Sequence, residues 1–455
     1  MKANLHKYQE NMVFFMLTHA HSALFVDMGL GKTLCTLTVF DNLRKGNLVG
    51  KALVIAPKKV AESTWSSECE KWDNFRHYRV SVAVGTEKER QSAMDADADI
   101  YVTGRDNVVW LKDYMAGKRK RIDDEFDMIV LDELTSFKSH SSQRFKAMKD
   151  VCQRAKFVYG LTGTPAPNGY QDLWAQMYLI DGGQALGRTI TDFRMNYCTA
   201  YKFPNASFTL YKVTSQAREM ITRRIADSVI QLSARDYLRL PSLTMVEQRV
   251  KMSAKARKMY DQLRKDYLLS LPDGDVTADN AAALAGKLLQ VCNGAVYTTG
   301  DKYTETGDDK LTALSEIVEG AHSPVLVFYQ FKHDVERILS ALKGCGVVRK
   351  YETAKDLKEW NDGKIDVLLA HPASCAYGLN MQQGGHIAVW FGTGYNLELY
   401  QQANARLYRQ GQTHPVYIYH LICEGTIDET AYRLLQEKGN TQENLFKMLR
   451  YLKES

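Results

Sequence analysis

From residue 22 to about residue 165, short apolar runs alternate with amphipathic stretches: SALFV, KALVIAP, VSVAVG, DIYVTG, DMIVLDE and FVYGLTGTP. Short β-rich runs separated by helical spacing predict a parallel sheet covered on both faces. A second set opens near residue 324 with PVLVFYQ and continues through IDVLLAH, HIAVWFG and PVYIYHLI, which predicts a second α/β lobe. Between the sets the pattern changes to long polar-rich helices, KMSAKARKMYDQLRKDYLLSL and NAAALAGKLLQVCN, with loop-like breaks at LPDGDVTADN and YTTGDKYTETGDD. The expected plan is a first lobe over 1–180, a helical insertion over 181–310, a second lobe over 311–440 and a C-terminal helix over 441–455. The chain shows no short-period repeat and no low-complexity tail.

Composition narrows the classes. A chain of 455 residues exceeds what one core usually supports, in keeping with two lobes. The eight cysteines are scattered without a C-x-x-C pair, so neither a zinc site nor a disulfide framework is indicated. No stretch is long and apolar enough to span a bilayer, and the opening MKANLHKYQENMVFF lacks the layout of a signal peptide, so a cytoplasmic protein away from membranes is expected. A net charge of +6 is compatible with a polyanionic partner without demanding one, and KRKR at 118–121 reads as a solvated loop.

Four stretches carry chemistry. FVDMGLGKTLCTL, residues 25–37, holds what a phosphate cradle needs: glycines that let backbone N–H groups close on oxygens, Lys32 for charge, and the Thr33 hydroxyl for Mg²⁺. The strict G-x-x-x-x-G-K-[ST] pattern would put glycine at position 26, where this chain has Val26. DMIVLDELTSFKS places Asp132 and Glu133 at the C-terminal end of an apolar strand, where open parallel sheets bind ligands. One carboxylate there suits Mg²⁺, and its neighbour can orient or deprotonate an attacking water.

YGLTGTPAPNG follows the next apolar run, with hydroxyls on Thr162 and Thr164 that could link the carboxylates to the far side of a cleft. In YQQANARLYRQGQ, Arg406 and Arg409 are three apart, so on a helix they share a face and can reach one anion together. Each stretch alone has a bland reading, as a Gly/Pro turn, a solvated acidic turn or a surface helix of arginines. A G-K-T and an acidic pair, each ending an apolar strand roughly 100 residues apart, together favour a nucleotide site.

With those residues in view, the chain resembles the superfamily-two nucleic-acid-dependent ATPases, specifically the SWI/SNF-like branch of double-stranded DNA translocases, from about residue 5 to 435. LHKYQ is similar to that family's glutamine motif, ALVIAPKKVAESTW to motif Ia, DEL to the DExx box, GLTGTP to motif III, VLVFYQF to motif IV, ASCAYGLNM to motif V and QANARLYRQGQ to motif VI. LPSLTMVEQRVKMSAKARKMYDQL and LLQVCNGAVY resemble the helices after lobe one in that branch, and DDKLTALSEIV the helix that opens lobe two.

The resemblance implies two RecA-like lobes with ATP and Mg²⁺ between them. Gln9 would read adenine, with Met28, Gly29, Leu30, Gly31, Lys32 and Thr33 forming the ATP loop. Thr33 and Asp132 would hold Mg²⁺, Glu133 the water, and Arg406 and Arg409 the transferring phosphoryl group, with coupling through Thr162, Thr164, Gly378 and Gln402. Double-stranded DNA would meet Lys58, Thr103, Arg105, Lys138, Gln330 and Ser374, and a protein partner is left open. Three departures stand out: Thr135 occupies the family's usual histidine position, HPASCAYGLN lacks the double glycine, and the bridge is short, with no bromodomain-like, chromodomain-like or nuclease-like segment expected. A bare bacterial or viral motor is expected. The alternatives are a strand-separating DNA or RNA helicase and a non-hydrolysing, ATP-gated clamp or scaffold.

Overall fold

The computed structural model describes residues 4–167, 169–202, 209–237, 240–270, 278–298, 302–375 and 379–436, so the expected C-terminal helix lies outside the described residues. The chain divides into two compact units, Met1–Tyr201 with Leu210–Leu238, and Lys202–Thr209 with Arg239–Ser455.

The first unit is built on strands β1 (His21–Val26), β2 (Ala52–Ala56), β3 (Val80–Ala83), β4 (Ile100–Gly104), β5 (Met128–Asp132) and β6 (Phe157–Thr162). A two-stranded sheet of β7 (Cys198–Lys202) and β8 (Thr209–Val213) follows, and β9 (Val229–Leu232) completes the larger sheet in the order β3-β4-β2-β5-β6-β1-β9. Every pairing in the seven-stranded sheet is parallel. The all-apolar runs follow from that: all five residues of ALVIA in β2 are buried, as they must be when helices cover both faces. Leu131, Leu134 and Phe137 are fully buried in the core, each contributing about 2 kcal/mol by removal of apolar surface from water. Gly160 in β6 makes room for Leu134, since a Cβ there would lie 2.6 Å from Leu134 Cδ2.

Register decides which loops meet. Asp132 lies opposite Leu161, and Phe25 opposite Thr162, so β5, β6 and β1 end side by side. The segments leaving these three strands therefore converge on one edge of the sheet.

The second unit has β10 (Leu243–Val250), a small antiparallel pair β11 (Ala295–Tyr297) and β12 (Tyr303–Glu305), then β13 (Val325–Phe328), β14 (Val348–Lys350), β15 (Val367–Ala370), β16 (Ile387–Trp390) and β17 (Val416–Cys423). Its six-stranded parallel sheet runs β10-β17-β16-β13-β15-β14. Lys310 and Asp428 form a fully buried ion pair at 2.6 Å, and Lys310 also donates to Asn293 Oδ1 at 3.0 Å. Cys292, Cys423 and Asp428 cluster within 4.8 Å, but the Lys310 ammonium already supplies the positive charge that a metal would bring.

Residues 181–310 contain helices Ile190–Tyr197, Ser215–Ile225, Ala254–Ser270 and Ala278–Cys292, but they also give β9 to the first sheet and β10 to the second. LTMVEQRV, read from sequence as part of a helical stretch, is a strand paired with β17 from Leu243↔Val416 to Val250↔Cys423. The physical reason lies in its alternating, half-exposed pattern, which suits the rim of a sheet. Among the described residues no helix is long and apolar enough to cross a membrane.

Candidate nucleotide site

The loop after β1 turns on two glycines. Gly29 and Gly31 have φ of +86° and +81°, a left-handed backbone that side chains rarely adopt, and helix Lys32–Lys45 starts directly after Gly31. Its N-terminus aims unsatisfied N–H groups and the positive end of its dipole at the loop. Val26, which replaces the expected first glycine, is instead the fully buried last residue of β1. The close approach is made by Gly163, where a Cβ would lie 3.3 Å from Met28 Cγ and 3.5 Å from the Val26 carbonyl oxygen.

Lys32 Nζ donates to the carbonyls of Val26 at 2.6 Å and Asp27 at 3.2 Å, which places the ammonium within the loop. Gln9 is buried and donates through Nε2 to the Leu30 carbonyl at 3.2 Å, while its Oε1 accepts from the His6 N–H at 2.9 Å. It is thus held against the same loop from the first helix, Lys7–Thr18.

At the end of β5, separated from β1 by β6, Asp132 Oδ2 accepts a hydrogen bond from Trp65 Nε1 at 2.9 Å. Burial pushes the Asp132 carboxyl up to about 6, opposed by the indole hydrogen bond and the Lys32 charge and assisted by the charge of Glu133. Glu133 has φ +60° and ψ +65°, a left-handed conformation that costs a non-glycine residue about 1 kcal/mol. Its Oε1 accepts two hydroxyls, from Thr135 at 2.8 Å and Thr162 at 2.9 Å. The Thr162 oxygen in turn accepts the Thr164 backbone N–H at 3.1 Å, so a hydrogen-bond chain runs from the loop after β6 to the acidic pair. Thr135, at the position where histidine was expected, contributes to that chain. The Thr33 hydroxyl and Asp132 carboxylate are hard oxygen donors, the ligand chemistry that Mg²⁺ takes.

In the second unit, helix Leu397–Asn404 ends before the arginines, so Arg406 and Arg409 lie in the turns that follow rather than on a shared helix face as expected. They nevertheless meet at one acceptor: Arg406 Nη1 and Arg409 Nη1 donate to the Leu379 carbonyl at 3.2 and 3.1 Å. Arg406 is buried and also donates through Nε to the Gln402 carbonyl at 3.0 Å. Burial lowers the proton affinity of Arg409 from its ordinary value. Gln402 is fully buried against Glu398, and Gly378 lies outside the described residues.

The nucleic-acid candidates separate by exposure. Lys58, Arg105 and Lys138 all follow the C-terminal ends of strands in the first sheet, and Gln330 and Ser374 those in the second. Lys58 is largely exposed, 3.8 Å from Glu62, and Arg105 donates to Ser136 Oγ at 2.6 Å. Thr103 is a correction: it is fully buried within β4 and its hydroxyl donates to the Ala83 carbonyl at 2.9 Å, so it serves the sheet and cannot reach a phosphate. Sequence reasoning missed the contact of Trp65 with Asp132, 67 positions away, and that of Gly163 with the loop after β1, because no local spacing marks so distant a partner.

The SNF2-related domain family matches residues 8–295. Protein p41 of Acyrthosiphon pisum secondary endosymbiont phage 1 is 34% identical over 458 residues, covering 97% of this chain and 98% of that protein. An uncharacterized ATP-dependent helicase, MG018 of Mycoplasma genitalium, is 24% identical over 98% of this chain but 42% of its own length. The SWI/SNF-related matrix-associated actin-dependent regulator of chromatin subfamily A-like protein 1 of Xenopus tropicalis is 25% identical over 96% of this chain and 44% of its own. The chain thus spans less than half of these two longer relatives. Among solved structures, the Sulfolobus solfataricus SWI2/SNF2 ATPase core in complex with dsDNA aligns over 99% of this chain and 97% of that one, at 22% identity and a TM-score of 0.46.

Proposed function

The chain belongs to the SNF2-related family of helicase-like ATPases, and from that premise we propose that it hydrolyses ATP to move along double-stranded DNA. The observation that carries the reading is the convergence, on one sheet edge, of the glycine loop after β1, the acidic pair after β5 and the threonine chain after β6.

In this reading Gln9 contacts the adenine and Lys32 the β- and γ-phosphates. Thr33 and Asp132 hold Mg²⁺, which when bound offsets phosphate charge. Glu133, fixed through Oε1 by Thr135 and Thr162, orients the attacking water. Arg406 and Arg409 of the second unit supply positive charge to the transferring phosphoryl group, so turnover depends on that unit as well as the first. Thr164 and Gln402, with Gly378, pass the nucleotide state to the nucleic-acid side. Lys58, Arg105, Lys138, Gln330 and Ser374 contact phosphates and make binding sequence-tolerant.

The test is ATP turnover with duplex DNA, single-stranded DNA and RNA, alongside displacement of a triplex-forming third strand. Duplex DNA is expected to stimulate turnover most, stimulation to fall steeply with salt, and the third strand to be stripped with the duplex left paired. Unwinding of a forked duplex, or stimulation by RNA alone, would make the protein a strand-separating helicase. Binding of ATP without turnover under all conditions would make it a clamp.

A further inference from the structure

Trp65 is fully buried, and its indole N–H points at Asp132, the residue assigned above to Mg²⁺, 2.9 Å from Oδ2. It comes from the segment leaving β2, the immediate neighbour of β5, with Ile55 opposite Leu131 in the last paired row. Its placement depends on an unusual local structure. Val60–Thr64 forms a π-helical turn that runs directly into helix Trp65–Lys71. A π turn carries one more residue than an α turn, so Trp65 follows a wider turn than a continuous α-helix would make.

Resting on the nucleotide-site reading, we propose that Trp65 is a positioning residue for Mg²⁺, fixing the orientation of the Asp132 carboxylate. Indole suits the task. It donates without accepting, it cannot lose its proton, and its rigid bicycle is immobilised by packing, so it holds the carboxylate plane without competing for the cation. Residues that orient a ligand from behind typically affect metal affinity 10- to 100-fold when removed.

The experiment compares Trp65→Phe with Trp72→Phe. Trp72 offers a matched control from the end of the same helix, because its Nε1 donates to a carboxylate outside the site, Glu68 Oε2 at 2.8 Å. The readout is binding of a fluorescent ADP analogue as Mg²⁺ is titrated, with binding in EDTA measured separately. Trp65→Phe is expected to raise the half-saturating Mg²⁺ concentration about tenfold or more with binding in EDTA unchanged, whereas Trp72→Phe matches the parent.

An unchanged Mg²⁺ dependence in folded Trp65→Phe overturns the inference, as does an equal shift in Trp72→Phe. Failure of the parent protein to bind the analogue at all would instead overturn the nucleotide reading beneath it. Should Trp65→Phe not fold, ¹⁵N-indole spectra of the parent, with its six tryptophans, give the answer. One indole N–H resonance, retained in Trp72→Phe, is expected to move when Mg²⁺ joins the ADP complex, and no movement in any of them overturns the proposal.

Discussion

Arg406 and Arg409 share one acceptor, the Leu379 carbonyl, at 3.2 and 3.1 Å, although neither belongs to the helix that ends at Asn404. Three residues apart and partly withdrawn from water, two guanidinium groups would repel one another. A common carbonyl holds them together.

Arg409→Ala is therefore expected to lower kcat about 10³-fold or more, the scale of a lost arginine finger, with a smaller loss of nucleotide affinity. Arg409→Lys should not restore activity, since an ammonium lacks the planar fork. Steady-state turnover measured beside equilibrium ATP binding checks both, and full activity in the alanine variant would remove Arg409 from the chemistry.

Glu133→Gln should lower kcat by about 10²–10⁴ while ATP still binds, whereas Lys32→Ala should weaken binding itself. Thr135→Val and Thr162→Val each remove one hydroxyl from Glu133 Oε1. Smaller losses are expected from each, with a double variant that departs from additivity because both act on one atom. Simple multiplication of the two effects would mean that they do not act through Glu133.

Gly31→Ala meets two obstacles: a φ of +81° and a new Cβ 2.4 Å from Gln9 Nε2. Gln9 must swing off the Leu30 carbonyl, so stability should fall by about 1–2 kcal/mol and nucleotide affinity with it. Thermal unfolding and ATP binding, measured together, decide this. If Gln9→Ala abolishes the stability difference between Gly and Ala at position 31, the clash dominates over backbone strain.

His420 predicts a pH dependence in the second unit. It is fully buried, its Nε2 lies 2.9 Å from the Tyr400 hydroxyl, and burial lowers its pKa to about 4. The unfolded chain takes up this proton near the ordinary value of about 6.5, so stability is full above that pH and declines as pH falls from there towards 4. His420→Gln keeps a hydrogen-bonding group without the titration. Its unfolding midpoint should vary less over that window, and an identical pH profile would assign the acid sensitivity elsewhere.

Most strands of both sheets, the glycine loop, the acidic pair and the arginines are local signals, and each is readable because its chemistry requires particular residue types in a short window. Hydrophobic runs of four to six residues must be buried strands when both faces are covered, and G-K-T at a strand end must turn into a helix N-terminus. LTMVEQRV was misjudged because a rim strand paired with β17 owes its state to residues more than 150 positions away. Thr103 was misjudged because its strand is covered on both faces: all five residues of β4 are buried, and the hydroxyl is spent on the Ala83 carbonyl.

What the sequence alone determined was therefore the inventory: two α/β units, a glycine loop at a helix N-terminus, two carboxylates and two arginines. Tertiary structure decided the connections among them. Strand order brought β5, β6 and β1 together so that Thr162 could reach Glu133, the segment leaving β2 brought the Trp65 indole to Asp132, and one carbonyl gathered two arginines beyond a helix end. Those contacts depend on distances and angles of a few ångströms between segments far apart in the chain, whereas residue type and spacing encode only what lies within a few turns or one strand.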